Sequence, residues 1–348
     1  MPEAFQVVIV GAGQAGLALG YYLKRQGAHF QIFDSGPQVG YSWRRRWDSL
    51  TLFSPARYDA LPGLPFPARP DSFPGKDEVA DYLARYAEVF DLPVRLNQEV
   101  VALERRGHDF LLETEDSTVL AKQVVVATGP FQRPYIPPFA DRLDPHVTQL
   151  HSSEYRNTES LPPGDVLVVG TGNSGWQIAV DLAATRDVVL SGRELPRVPL
   201  RILGRSIFWW IRATGIMLVP ANSALGRRMS SNDNILIGDR PPSLLGERLK
   251  RAPRAVDAQG DTVTFADGSR ASFSNVVWAT GYRNAYSWIR LPVFDDEGRP
   301  LHRRGVTSVP GLYFLGLRWQ HTTGSALLGW VHRDARYLAK RIADRRSE

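Results

Sequence analysis

The chain has 348 residues, of which 22% are charged and 43% hydrophobic, with a net charge of +6. That is long enough for two ordinary domains and is the composition of a folded globular protein rather than a disordered one. Cysteine is absent, which excludes a disulfide framework, a thiolate metal site and a dithiol redox centre; no metal site is expected. The positive charge is spread along the chain, and bound groups carrying several phosphates are reason enough for it, so no nucleic-acid partner is expected.

Met1-Pro2-Glu3 lacks a basic n-region and runs straight into a strand, so no signal peptide is expected and the protein is placed in the cytoplasm. Val7-Val8-Ile9-Val10 then leads into Gly11-Ala12-Gly13-Gln14-Ala15-Gly16, an amphipathic run to Gly27, and a second strand ending at Asp34. This is the order strand, tight glycine turn, helix, strand. Gly11 turns the chain sharply, Gly13 lets backbone approach a diphosphate, and Gly16 lets the helix lie on the strand. The helix then aims its unpaired N–H groups and positive dipole end, with Gln14 and Ala15 in the first turn, at that diphosphate. Asp34 stands where a carboxylate accepts hydrogen bonds from both ribose hydroxyls, which suits FAD.

Trp43-Arg44-Arg45-Arg46-Trp47 follows a turn at Gly36-Pro37. One reading places a guanidinium, Arg44, on the diphosphate with Trp43 against the cofactor edge; the other is a solvated charge run beside core tryptophans. Leu50 to Phe73 contains Pro55, Pro62, Pro65, Pro67 and Pro70 and reads as an irregular covering loop. Lys76 to Phe90 has helical spacing of its apolar residues. Gln98 to Leu112 reads as strands, with Val100 a candidate on the FAD side, and a hairpin is expected near Asp116-Ser117. Val124-Val125-Val126-Ala127-Thr128-Gly129 closes the unit with a buried strand whose end, Thr128 and Gly129, brings backbone to a cofactor.

The pattern then repeats. Asp165 to Val169 leads into Gly170-Thr171-Gly172-Asn173-Ser174-Gly175, a helical run to Ala184 and a strand ending in Ser191-Gly192-Arg193, with Arg197 and Arg201 beyond. No acid stands where NADH would want one, whereas Ser191, Arg193 and Arg197 can hold a 2′-phosphate through charge-assisted hydrogen bonds. The second site is therefore read as NADPH-binding. Ile207 to Pro220 is the most apolar segment, too short to span a bilayer and interrupted by Arg212. It reads as a buried helix or a channel wall, with contact at a membrane surface left open. Val276-Val277-Trp278-Ala279-Thr280-Gly281 matches the strand before Gly129, and the spans from Gly11 to Gly129 and from Gly170 to Gly281 are nearly equal. Gly311 to Gly316 is another buried strand with a glycine end. A helix beginning near Thr323-Gly324-Ser325 is placed to aim its N-terminus at a flavin.

The expected fold is α/β, with two Rossmann-like dinucleotide-binding domains in a glutathione-reductase-like architecture. Residues 1–160 and 282–348 form a discontinuous FAD domain interrupted by an NADPH domain, 161–281, which includes Thr280 and Gly281. Together with Leu64-Pro65-Phe66-Pro67, Leu195-Pro196-Arg197, Leu203-Gly204 and Gly311-Leu312-Tyr313, these motifs resemble the class B flavin-dependent monooxygenases. The resemblance is to CzcO-like bacterial flavoproteins and plant YUCCA-type enzymes, over nearly the whole chain. The family's signature F-x-G-x-x-x-H-x-x-x-Y/F keeps its second half, His151 and Tyr155, while Pro145 and Val147 stand in place of Phe and Gly. Phe53 replaces the asparagine that many N-oxygenating members carry near the flavin, which points away from amine N-oxidation.

The resemblance implies an NADPH-dependent monooxygenase that uses O₂, forms a flavin C4a-(hydro)peroxide, and inserts one oxygen atom into a small organic substrate while bound NADP⁺ shields the site. Ser54, Asn173 and Gln320 are the catalytic candidates, with Trp319 and His321 beside them and a structural role as the alternative for each. The competing readings are an NADPH oxidase or diaphorase that releases H₂O₂ without oxygenating a substrate, and a nucleotide sensor without catalysis. The apolar and aromatic residues from Leu200 to Val219 hint at an apolar or aromatic substrate. No oligomeric state is read from the sequence.

Overall fold

In the computed structural model, which describes residues 2–231, 235–238 and 248–346, the two glycine motifs build two parallel sheets of matching strand order. The elements that position the site are β1 (Glu3–Val10), α1 (Gln14–Arg25), β2 (Phe30–Phe33), β3 (Thr118–Val126), β4 (Thr148–His151), β5 (Val166–Val169), α2 (Asn173–Ala183), β6 (Val188–Ser191), α3 (Ile207–Thr214), β7 (Asn275–Trp278), β8 (Leu312–Phe314) and α4 (His332–Arg346). In the first sheet the parallel run is Val94–Arg95, β2, β1, β3, β8. In the second it is Leu249–Ala252, β6, β5, β7, β4. Strands buried on both faces read as continuous valine runs, and β5, β7 and the last four residues of β3 are such runs.

The last strand of each parallel run joins out of chain order: β8 returns to the first sheet from beyond the second unit, and β4 enters the second sheet from just before β5. β4 pairs with β7 in the second sheet, so the break between the sheets lies before Thr148, earlier than the expected boundary at 160. Asp109–Thr114 and β3 make the expected antiparallel hairpin, which with Val100–Arg106 extends the first sheet. α1 packs on one face of the first sheet with α4 and the helix Lys76–Val89; Leu17, Leu83, Tyr86, Leu338 and Ile342 are buried together there. At about 25 cal/mol per Å² of apolar surface, each of these side chains contributes on the order of 2 kcal/mol to holding the helices on the sheet.

Two expected helices take another form. The segment at Ile207 makes α3, but only Phe208 of its eight residues is buried, so it is not a core helix. The segment at Thr323 makes a single 3₁₀ turn, Thr323–Ala326, and the long helix begins at His332. Gly329 explains the break: it lies so close to the Tyr58 carbonyl that a Cβ would overlap that oxygen, which fixes the chain against the loop before Leu61.

Candidate functional site

The three glycines of each motif do three different jobs, and do them twice. Gly11 has φ +111°, and a Cβ on it would stand 2.6 Å from the Ala127 carbonyl oxygen; Gly170, at φ +114°, meets Ala279 in the same way. A Cβ on Gly16 would overlap the Gly11 carbonyl, and one on Gly175 the Gly170 carbonyl. Gly13 and Gly172 have no protein atom within 4 Å of a built Cβ. Each N-caps its helix without a side-chain bond, so the first-turn N–H groups of α1 and α2 face open space. Two cradles closed by protein on two sides and open on the third fit the diphosphates of FAD and NADPH.

The ends of the cradles differ. The Asp34 carboxylate accepts the Ala12 N–H at 2.7 Å and the Gly36 N–H at 2.8 Å, which ties the acid to the glycine loop. In register, Val10 pairs with Phe33 and Val169 with Ser191, so the counterpart of Asp34 is Gly192. Thr171, the counterpart of Ala12, fills the vacated place: a Cβ on Gly192 would meet its Cγ2 at 2.8 Å, and its hydroxyl donates to the Arg193 carbonyl at 2.8 Å. No carboxylate stands there to repel a 2′-phosphate.

Ser191 is placed otherwise than expected. It is fully buried, donating to the Pro253 carbonyl at 2.6 Å and accepting the Ala255 N–H at 2.9 Å, so its hydroxyl cannot reach a phosphate. Arg193 is exposed, and Arg251, which sequence reading missed, brings its guanidinium to the Arg193 carbonyl at 3.3 Å. Arg251 comes from the neighbouring parallel strand, and no local spacing pointed to it. Arg197 instead lies over Trp176 of α2, 4.1 Å from the ring centroid, and donates to the Gly238 carbonyl.

On the FAD side, Gln14 ties three segments together: its carboxamide oxygen accepts from the Trp43 indole at 3.4 Å, and its nitrogen donates to the Ala326 carbonyl at 3.3 Å. Gly316, at φ +83°, comes so near α1 that a Cβ would meet the Ala15 Cβ at 2.8 Å, which explains both small residues. Val100 is buried in the core beside Phe33. Arg44 is turned away from the glycine loop and pairs with Asp77 and Asp81 on the helix Lys76–Val89. The arginine that reaches across is Arg46, which donates to the Tyr282 hydroxyl at 2.7 Å and lies over the Phe131 ring.

Arg46 therefore stands where the two units cross. Residues 133–134 and 282–283 pair antiparallel just beyond the two Ala-Thr-Gly turns. Gln132 donates to the Thr128 hydroxyl and the Gly129 carbonyl, while Thr280 donates to the Tyr135 carbonyl. Gly281 accepts the Tyr135 N–H at 2.9 Å and contacts His151 Nε2 at 3.0 Å. Burial holds His151 below the usual imidazole range. Tyr155 donates to Asp181 at 2.7 Å, so this pair from the signature braces α2 against β4.

The catalytic candidates separate. Asn173 opens α2 on the exposed side, with Ser174 half-buried beside it. Gln320 is packed inward against Gly305, its oxygen accepting the Leu317 N–H while its buried nitrogen has no hydrogen-bond partner among the described residues. Ser54 is buried and donates to Asp59 at 2.6 Å; Asp59 was not singled out from sequence. Burial without a basic partner pushes the Asp59 carboxyl up to about 7, against the lowering effect of the Ser54 bond. Around this pair Phe53 stacks on Phe208 of α3 at 6.4 Å, while Tyr58 meets Phe208 at a tilt at 5.7 Å and stacks on Trp330 at 6.5 Å. Rings from three distant segments thus form an aromatic seam between the units.

Residues 8–197 match the family described as pyridine nucleotide-disulphide oxidoreductase. The chain is 48% identical to an uncharacterized CzcO-like oxidoreductase of Geobacillus kaustophilus, over 98% of this chain and 99% of that protein. To the indole-3-pyruvate monooxygenase YUCCA4 of Oryza sativa it is 28% identical, over 97% of this chain and 87% of the other. A flavin-containing monooxygenase from Stenotrophomonas maltophilia superposes with a TM-score of 0.81 at 28% identity, covering 98% and 99% of the two chains. The chain therefore belongs to the pyridine nucleotide-disulphide oxidoreductase family, with CzcO-like and flavin-monooxygenase relatives, and is an FAD- and NADPH-dependent oxidoreductase.

Proposed function

We propose that this enzyme is a monooxygenase, driving insertion of one atom of O₂ into a small, apolar or aromatic organic substrate with NADPH. The observation that carries the reading is the pair of unlike cradles, one ending in Asp34 and the other in Gly192 and Arg193, joined where the two Ala-Thr-Gly turns run side by side. Held by the glycine loop from Gly11 to Gly16 and by Asp34, FAD would supply the redox and oxygen chemistry.

The chain's own work is binding, orientation and exclusion of water. α1 and α2 hold the two diphosphates by their N-termini. Gln14 fixes Trp43 and the turn at Ala326 at the edge of the first cradle. Arg46 and Tyr282 fix one cradle relative to the other. The rings of Phe53, Tyr58, Phe208 and Trp330 line the seam with apolar surface, which keeps water from the reacting atoms and favours an apolar guest. With no cysteine, the chain has no thiol of its own for disulphide chemistry, whatever its relatives do.

NADPH consumption measured against H₂O₂ yield, across thioethers, 2-oxo acids, amines and arsenicals, tests the reading. A substrate that lowers peroxide per NADPH supports coupled oxygenation. One H₂O₂ per NADPH throughout the series would establish the oxidase or diaphorase reading instead.

A further inference from the structure

The stretch from Leu195 to Ser231 holds six arginines and no aspartate or glutamate, in a chain that is otherwise mixed in charge. It leaves the second sheet, reaches the first unit, where Ala221 N–H donates to the His321 carbonyl at 2.7 Å, and carries α3 on its way. The inner side of α3 is Phe208, which is buried in the aromatic seam. Among the described residues the outer side has no such cover.

On that outer side a short hairpin and α3 form one body. Arg201–Ile202 pairs antiparallel with Arg205–Ser206. The Trp210 indole donates to the Ile202 carbonyl at 3.0 Å, and the Arg205 guanidinium lies over the Trp209 ring, 4.6 Å from its centroid. The hairpin tip is Leu203, 86% exposed, beside Ile202 at 37% and Trp209 at 39%. A leucine held at the tip of a turn with φ +50° buries almost nothing within the chain and has no part in its core. Arg201 and Arg212 are exposed on the same body.

We propose that this hairpin and the outer face of α3 form a docking element for an anionic lipid surface. Leucine, isoleucine and tryptophan at a protruding tip enter the boundary between headgroups and acyl chains, where the amphipathic indole is favoured. The arginines around them pair with lipid phosphates while their stems cover apolar surface. A nucleic-acid partner would use the arginines but leave Leu203 and Ile202 unexplained. A charged protein partner would leave them exposed as well. Because Phe208 of the same helix is buried in the aromatic seam while Trp209 is exposed, docking brings that seam close to the bilayer, where an apolar substrate is concentrated. The element spans nothing: among the described residues no helix is long and apolar enough to cross a membrane.

The test is co-sedimentation of the full-length, flavin-loaded protein with sucrose-filled vesicles of equimolar phosphatidylglycerol and phosphatidylcholine, against vesicles of phosphatidylcholine alone. Binding to the anionic vesicles that weakens as salt is raised is expected. The double variant Leu203→Asp/Arg201→Glu should lower the partition coefficient by about tenfold or more, with bleaching of the flavin by NADPH unchanged. Aspartate is used at 203 because it tolerates the left-handed backbone there. The proposal is overturned if the wild-type protein does not pellet with anionic vesicles, or if the variant pellets equally well. It is also overturned if sedimentation velocity without lipid shows a dimer that Leu203→Asp dissolves, since the patch would then belong to a second copy. Equal binding of wild type and variant to a single-stranded oligonucleotide, without vesicle binding, contradicts it too.

Discussion

Asp59 accepts a hydrogen bond from Ser54 at 2.6 Å through one carboxylate oxygen, while the other is buried with no hydrogen-bond partner among the described residues. A carboxylate in that setting resists ionisation, and its position is pushed up to about 7 from an ordinary 3.8. The folded state therefore binds a proton that the unfolded chain has already lost between these two values. Stability contributed by this group is full below about pH 4 and is lost as pH rises to about 7. Asp59→Asn keeps a carbonyl oxygen for Ser54 and cannot ionise. It should raise the melting temperature at pH 8, by up to ~4 kcal/mol of stability, and change it little at pH 4. Buried His151 and half-buried His302 and His332 are held low by desolvation and act with the opposite sign, losing stability as pH falls below 6.5. Thermal melts of both proteins from pH 4 to 8 separate the two; a constant difference across that range would show that Asp59 does not change charge there.

The open side of Gly13 distinguishes a folding glycine from a binding one. Gly16→Ala must push against the Gly11 carbonyl and should cost roughly 1–3 kcal/mol or more of stability. Gly13→Ala meets no protein atom. It should leave the melting temperature of the flavin-free protein unchanged while reducing bound flavin after purification by about tenfold or more, as its methyl group takes the place of a diphosphate oxygen. Flavin content and apoprotein melts, read side by side, decide whether this glycine serves the cofactor.

On the proposed reading Arg193, with Arg251 beside it, sets the preference for the phosphorylated nucleotide, and the buried, already paired Ser191 does not. Arg193→Ala should lower the ratio of NADPH to NADH efficiency by about 10- to 100-fold, the loss of one charged hydrogen bond worth ~1.5–3 kcal/mol. Ser191→Ala should leave that ratio unchanged and lower stability by about 1–3 kcal/mol, because the Ala255 N–H loses its acceptor. Steady-state kinetics with both nucleotides checks the pair.

Arg46 bridges the units through Tyr282 without belonging to either glycine loop. Arg46→Met should retain flavin and the melting temperature of each cradle's ligand complex, yet slow anaerobic flavin reduction by NADPH by about tenfold or more, since small misplacements of reacting groups are costly. Unchanged reduction kinetics would mean that the crossing strands alone set the geometry.

The cradles were legible in the sequence because glycine is demanded there by backbone geometry, and the strand and helix periods around them agree. The repeat of strand, glycine turn, helix and closing Ala-Thr-Gly also revealed the two-sheet plan. What stayed hidden depends on which way a side chain faces. Ser191 ends the correct strand but sits one position before the counterpart of Asp34, and in a strand one position reverses the face. Arg44 and Arg46 are two apart in a short helix and its exit, so one turns to Asp77 and Asp81 and the other to Tyr282. Arg251 and Asp59 act through contacts made only when distant segments fold together. The aromatic segment at Ile207 reads from composition as a buried helix or a channel wall, with membrane contact left open, and composition does not tell that only Phe208 of α3 turns inward.

The central claim is that an Asp-ended cradle holding FAD and an Arg-ended cradle holding NADPH pass electrons across their shared crossing. The most direct measurement is anaerobic stopped-flow reduction of the flavin-loaded protein by NADPH and by NADH at equal concentration. Bleaching by NADPH at a rate about tenfold or more above that with NADH is the expected result. A protein that takes up no flavin, or is reduced equally by both nucleotides, would contradict the account.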